Sequence, residues 1–190
     1  MSSIRFSPPP TTPLQPGGSY AAPFELLAAC HERVVRSLDL LERLLVHLER
    51  QGGVADATAR DAAADVRRYF GLAAPLHHQD EERHLFPALE AGGDAAAAAL
   101  CTRLREQHRE MAELWGPLDA ALAALDDLPR LRRLTARFLV LQRGHLRSED
   151  EGLFPAAAAL LDAQAQRAMG LEMAARRGLE LTGSAAPGSR

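Results

Sequence analysis

The phrase His-x-x-x-Glu-x-x-x-Leu-Phe-Pro occurs twice in this chain. The first copy holds His77, Glu81, Leu85, Phe86 and Pro87; the second holds His145, Glu149, Leu153, Phe154 and Pro155. A separate histidine precedes each copy, His31 the first and His108 the second. Four residues of α-helix advance about 6 Å and turn roughly 40° past one revolution, so positions i and i+4 share a face. His77 and Glu81 can therefore reach one point beside their helix, and so can His145 and Glu149. An imidazole supplies a terminal nitrogen, and a carboxylate has two oxygens that can bridge two ions. His31 and His108 would each complete one end. The same half-site built twice gives four imidazoles and two bridging carboxylates. That inventory points to a two-metal centre with a solvent-derived oxo or hydroxo bridge and an open position. Nitrogen and oxygen donors without thiolate fit Fe, Mn or Zn, and two carboxylate bridges favour a pair of redox-capable irons.

Such a site needs helices that face one another. Ala and Leu abound in the 190 residues while aromatics make up 5%, a balance that favours helices in a single domain. Residues 1–22 read as a Pro/Gly-rich arm: Pro8-Pro9-Pro10, Pro13 and Pro16-Gly17-Gly18 cannot propagate a helix. A first helix is predicted from about Pro23 to Gln51-Gly52-Gly53, with Leu26, Leu27, Val34, Leu38, Leu41 and Leu45 at helical spacing around His31. A second runs from about Ala55 to Leu89, kinked by Gly71 and Pro75 and tightened at its far end by Pro87. Asp94 is a candidate N-cap for a third, Ala95 to Leu125, which Gly116-Pro117 should break or bend. Asp127 and Pro129 start a fourth, which Pro155 should bend or end. A helical extension follows from Ala156 to Arg177. Four helices with short connections predict an all-α, up-down-up-down bundle over 23–161, with residues 162–190 as a C-terminal helical extension and tail.

These residues resemble the hemerythrin-like HHE cation-binding family. The likeness rests on the doubled histidine in His77-His78-Gln79-Asp80-Glu81-Glu82, the Leu-Phe-Pro endings, and the order His, HxxxE, His, HxxxE. It covers roughly 24–161, and Met173-Ala174-Ala175-Arg176-Arg177-Gly178 is similar to the family's C-terminal sequence. The resemblance implies a four-helix bundle around a non-heme di-iron site. Terminal ligands would be His31, His77, His108 and His145, with Glu81 and Glu149 bridging. One departure stands out. Oxygen-carrying hemerythrins take a fifth histidine from a His-x-x-x-His pair on the third helix, but Leu104 and Ala112 flank His108 at that spacing. His84 and Tyr69 are the candidates for a replacement. Without one, reactivity or a solvent ligand is favoured over simple reversible oxygen carriage.

Other residues invite plainer readings. His78 lies about 100° off the ligand face of an ideal helix and reads as a neighbour of the site or a surface residue. Glu82 and Asp150, each following a bridging glutamate, read as solvated acids or supports for the ligands. His47 is turned about 160° from His31 and belongs on the surface. Trp115 is assigned to the core, and Arg130, Arg132, Arg133 and Arg137 to a solvated face. Cys30 and Cys101 read as reduced, partly buried thiols with no disulfide framework. The ferritin-like alternative needs two Glu-x-x-His motifs. Glu81 to His84 supplies one, but Arg105 and Gln142 stand where a second would need its acid.

The net charge of −3 argues against nucleic acid as the main partner. No signal peptide or membrane span is visible, so a cytoplasmic location is expected. The expected ligand is a small oxidant: oxygen, peroxide or nitric oxide. The alternative is an iron-handling or redox-sensing module without turnover. A homodimer or a protein partner is open, and no nucleophile–base pair assigns a turnover reaction.

Overall fold

The computed structural model of the chain describes residues 19–179. Most of the predicted arm and the end of the predicted tail, with Gly183, Pro187 and Gly188, lie outside the described residues. Five helices account for the rest. α1 is Pro23–Arg50. α2 covers 57–91 as α-helical stretches Ala57–Arg68, Ala74–Asp80 and Phe86–Ala91, joined by wider π-helical turns at Tyr69–Ala73 and Glu81–Leu85. α3 is Ala95–Ala124. α4 covers 128–160, with Leu128–Ser148 and Phe154–Leu160 on either side of a π-helical turn at Glu149–Leu153. α5 is Ala163–Arg176.

Local chemistry sets these limits. Four helices start on an aspartate whose carboxylate accepts from a backbone N–H of the first turn: Asp56 from Ala59, Asp94 from Ala96, Asp127 from Arg130 and Asp162 from Ala165. Asp162 divides the predicted extension, so α4 and α5 are separate helices rather than one run from Ala156 to Arg177. α1 closes where Gly52 and Gly53 take positive φ, and α3 closes on Leu125 in the left-handed conformation.

Pro117 does not break its helix, Pro155 does not end its own, and Pro87 does not tighten the turn before it. Pro117 lies inside α3, which it neither breaks nor ends. Pro117 and Glu113 face solvent, where water serves the carbonyl that the missing N–H releases. Pro75, Pro87 and Pro155 each lie two residues after a π-helical turn, in the first turn of the α-helix that resumes. A proline ring clashes with the carbonyl four residues back. Widening the preceding turn relieves that clash, so Pro87 loosens its helix rather than tightening it, and α4 continues past Pro155 to Leu160.

The core has two apolar clusters with a polar layer between them. One contains Leu26 and Leu27 of α1, Leu85, Phe86 and Leu89 of α2, Cys101 and Leu104 of α3, Leu153 and Ala157 of α4, and Met169 and Met173 of α5. The other contains Val34 to Leu48 of α1, Ala59 to Ala74 of α2, Leu114 to Leu125 of α3 and Leu131 to Leu146 of α4. The predicted ligands lie between the two clusters on their helices, except that His145 sits beside Leu146 at the edge of the larger one. α5 approaches the chain before α1 so closely that a Cβ on Gly170 would stand 1.8 Å from the Tyr20 carbonyl oxygen, a contact that demands glycine. No helix among the described residues is long and apolar enough to cross a membrane.

Candidate metal centre

All six predicted ligands meet in the polar layer, and all six are buried, Glu81 and Glu149 completely. Their donor atoms form two groups: His31 and His77 with Glu81 and Glu149, and His108 and His145 with the same two carboxylates. Within each group the donors lie within 4.8 Å of one another. Each carboxylate divides its oxygens between the groups. Glu81 places Oε1 3.2 Å from His77 Nε2 and Oε2 3.5 Å from His108 Nε2. Glu149 places Oε2 3.1 Å from His31 Nε2 and Oε1 2.7 Å from His145 Nε2. The imidazole pairs close the two ends, with Nε2 to Nε2 distances of 3.1 Å for His31 with His77 and for His108 with His145.

A further ring of groups aims the imidazoles. His31 Nδ1–H donates to Asp150 at 2.8 Å, and His108 Nδ1–H donates to Glu82 at 2.6 Å. His145 Nδ1–H donates to the Gln107 side-chain oxygen at 2.9 Å. Holding the proton on Nδ1 leaves Nε2 as the ligating nitrogen and fixes the ring plane. The pattern is crosswise: the acid after each glutamate supports the lone histidine of the other half. The signal was present in the sequence as an acid directly after each glutamate, though without the partner. The Gln107 support carried no such signal.

The electrostatics fit a cation site. None of the four oxygens of Glu81 and Glu149 has a partner with hydrogen-bond geometry. Two such carboxylates side by side in a core are costly unless positive charge lies between them. Burial, and then the Glu149 charge, push Glu81 up to about 8. Burial also opposes ionisation of Glu149, but the imidazoles of His108, His145 and His31 outweigh it and hold that carboxyl well below its ordinary range. Burial opposes charge on His108, yet the two glutamates push it up to about 10. Burial lowers His145 against the pull of Glu149, and burial together with the His31 charge lowers His77 strongly. Each end thus pairs a histidine drawn toward the cation, His31 or His108, with one held neutral. The two facing Nε2 atoms at each end, 3.1 Å apart, are placed so that both could bind one ion. The donors are imidazole nitrogen and carboxylate oxygen, the set expected for Fe, Mn or Zn.

The two residues nominated as a fifth donor are elsewhere. The Tyr69 hydroxyl donates to the Cys30 carbonyl at 3.1 Å. His84 faces α5, with Nε2 3.2 Å from Glu172 and 3.4 Å from Arg176. Both belong to packing: Tyr69 to the larger apolar cluster, and His84 to the seam with α5. The imidazole that does approach is His78, whose ring stacks on His108 with centroids 4.0 Å apart and planes at 11°. His47 lies near the end of α1 and bonds to the capping Asp56 at 3.0 Å, far along the helix from His31. Trp115 packs on Phe70 and Phe138, as assigned. The four arginines from Arg130 to Arg137 are exposed, and both cysteines are free and buried.

Sequence reasoning missed Asp80. It is fully buried next to Glu81, and its carboxylate accepts from Arg176 and, at 2.7 Å, from Arg177. These bonds fasten α5 to the helix that carries the first half-site.

A helical bundle with a buried His/Glu layer of this kind is a cation-binding domain. The family model described as the hemerythrin HHE cation-binding domain matches residues 22–157. The chain belongs to that family. It is also similar to an uncharacterised protein of Haemophilus influenzae, at 34% identity over 158 residues that cover 82% of this chain and 90% of the relative.

Proposed function

We propose that this is a non-heme di-iron protein that binds or reduces a small oxidant: oxygen, peroxide or nitric oxide. The observation that carries the reading is the division of both carboxylates between two imidazole pairs. His31 and His77 would hold one ion, His108 and His145 the other, and Glu81 and Glu149 would span both. Iron would supply the electrons for a small oxidant there. The chain's own residues do the rest. Asp150, Glu82 and Gln107 keep the Nδ1 protons in place and the Nε2 atoms aimed inward. The apolar clusters on either side exclude bulk water, with Phe154 stacked on His31 at 4.7 Å and Phe86 on His108 at 5.8 Å.

The up-down-up-down arrangement of the first four helices belongs to the same proposal. Its support is that α1 and α3 pass from the smaller cluster to the larger, whereas α2 and α4 pass the other way. A cytoplasmic setting, with no nucleic acid or membrane as partner, completes the reading.

Anaerobic loading with ferrous iron, followed by oxygen, peroxide and nitric oxide, tests it. The expected result is a change in the iron spectra with at least one of them, lost in Glu149→Ala. Iron that loads and leaves without responding to any of the three would favour an iron-handling module instead.

A further inference from the structure

Gln142 is only 3% exposed, and no hydrogen bond to its side chain is found among the described residues. Its neighbours on the inward side of α4, Phe138, Leu139 and Leu146, all belong to the larger apolar cluster. An amide buried in such company without a partner is costly, so its presence calls for a reason.

The repeat fixes where the amide stands. Gln142 is three residues before His145, the place that Ala74 takes before His77. The repeat-matched pair one turn earlier, Phe70 and Phe138, meets with ring centroids 4.9 Å apart. The matched pair two turns later, Glu81 and Glu149, shares both donor groups. Seven residues make two turns to within about 20°, so Ala74 and Gln142 lie on the inward faces of the glutamates. Between these two meeting points they must face each other across the bundle. Val34 and Met111 complete the layer, three residues after His31 and His108 on the helices that pass from the smaller cluster to the larger, and both are buried. Of these four side chains, Gln142 alone carries an N–H donor. Glu81 and Glu149 stand one turn before Leu85 and Leu153 of the smaller cluster, so both carboxylates enter from that side. The face of the imidazole layer turned to the larger cluster is the one beside Gln142.

Resting on the dinuclear reading above, we propose that Gln142 is a ligand-binding residue of the site: its amide N–H donates to a small anion held on the face of the metal pair opposite the two glutamates. An entirely apolar layer would sort small ligands by size alone. The amide adds a preference for a ligand that brings negative charge and an acceptor atom, because a hydrogen bond to a charged group is roughly twice as strong as one between neutral groups.

Azide is the probe. The full-length protein is loaded with iron, oxidised with ferricyanide and titrated with azide. Iron per chain is counted, and the azide stretching band is recorded by infrared spectroscopy in light and heavy water. Gln142→Met, similar in length but without a donor, is treated in the same way. The expected result is two irons per chain in both proteins, with azide bound at least about tenfold more weakly by the variant, the loss of one hydrogen bond to a charged ligand. The band should shift in heavy water for the unaltered protein and not for Gln142→Met, a response that a glutamine serving only as packing would not give. Should Gln142→Met fail to fold, as judged by circular dichroism, Gln142→Leu takes its place. Azide that does not bind the unaltered protein, or that binds both proteins with the same strength and the same band, would overturn the proposal and leave the dinuclear reading standing. Fewer than two irons in the unaltered protein would overturn both.

Discussion

Glu81 and Glu149 are completely buried, and a carboxylate in that position needs positive charge beside it. The imidazoles provide part of that charge in the bare protein, which is why His108 is pushed up to about 10 and Glu149 is held low. A cation shared by both carboxylates satisfies all four oxygens at once. Glu149→Ala removes one oxygen from each donor group, so iron should bind more than about 100-fold more weakly, beyond the range seen for loss of a supporting group. His47→Ala removes a histidine that bonds to a helix cap, and iron content should not change. Iron titration of the two variants checks this; retention of tight binding in Glu149→Ala with its loss in His47→Ala would invert the assignment. That these six side chains would meet was legible in the sequence, because the i, i+4 rule is local and the motif is doubled. His78 stands beside the site as expected, stacked on His108, though a single-helix projection that sets it about 100° from His77 cannot show which helix waits there.

At the scale of elements, the Leu-Phe-Pro endings are part of the site. Pro87 and Pro155 lie just beyond the π-helical turns that begin at Glu81 and Glu149. Wider turns of this kind are frequent at functional sites because they re-aim side chains. Replacing Pro155 with Ala removes the clash that favours the wide turn. The helix should then tighten, moving Glu149 relative to His145 while the fold persists. The expected outcome is reduced iron uptake with unchanged helical content, measured by elemental analysis and circular dichroism; full uptake would show that the turn does not depend on the proline. Sequence analysis located the prolines and the helix starts at Asp94 and Asp127. It mistook the effect of Pro87, and the break allowed for at Pro117 does not occur, because a proline's outcome depends on whether its neighbours can widen or face water, which is a tertiary matter.

For the molecule as a whole, α5 closes one end of the core through Met169 and Met173 and is fastened to α2 by Asp80 with Arg176 and Arg177. These partners are 96 and 97 residues apart, beyond the reach of any local pattern. Asp80→Ala leaves the largely buried Arg177 guanidinium without a carboxylate and Arg176 with only the half-exposed Glu172. Breaking a buried pair from one side costs about 3–5 kcal/mol, so thermal unfolding should shift to clearly lower temperature, and an unchanged melt would deny the fastening role. The proposed function requires two metal positions that share Glu81 and Glu149. Iron bound per folded chain after anaerobic loading is its most direct measure. The expected value is close to two, with the two irons magnetically coupled through their shared carboxylates; a well-folded protein that saturates at one iron or none would contradict it.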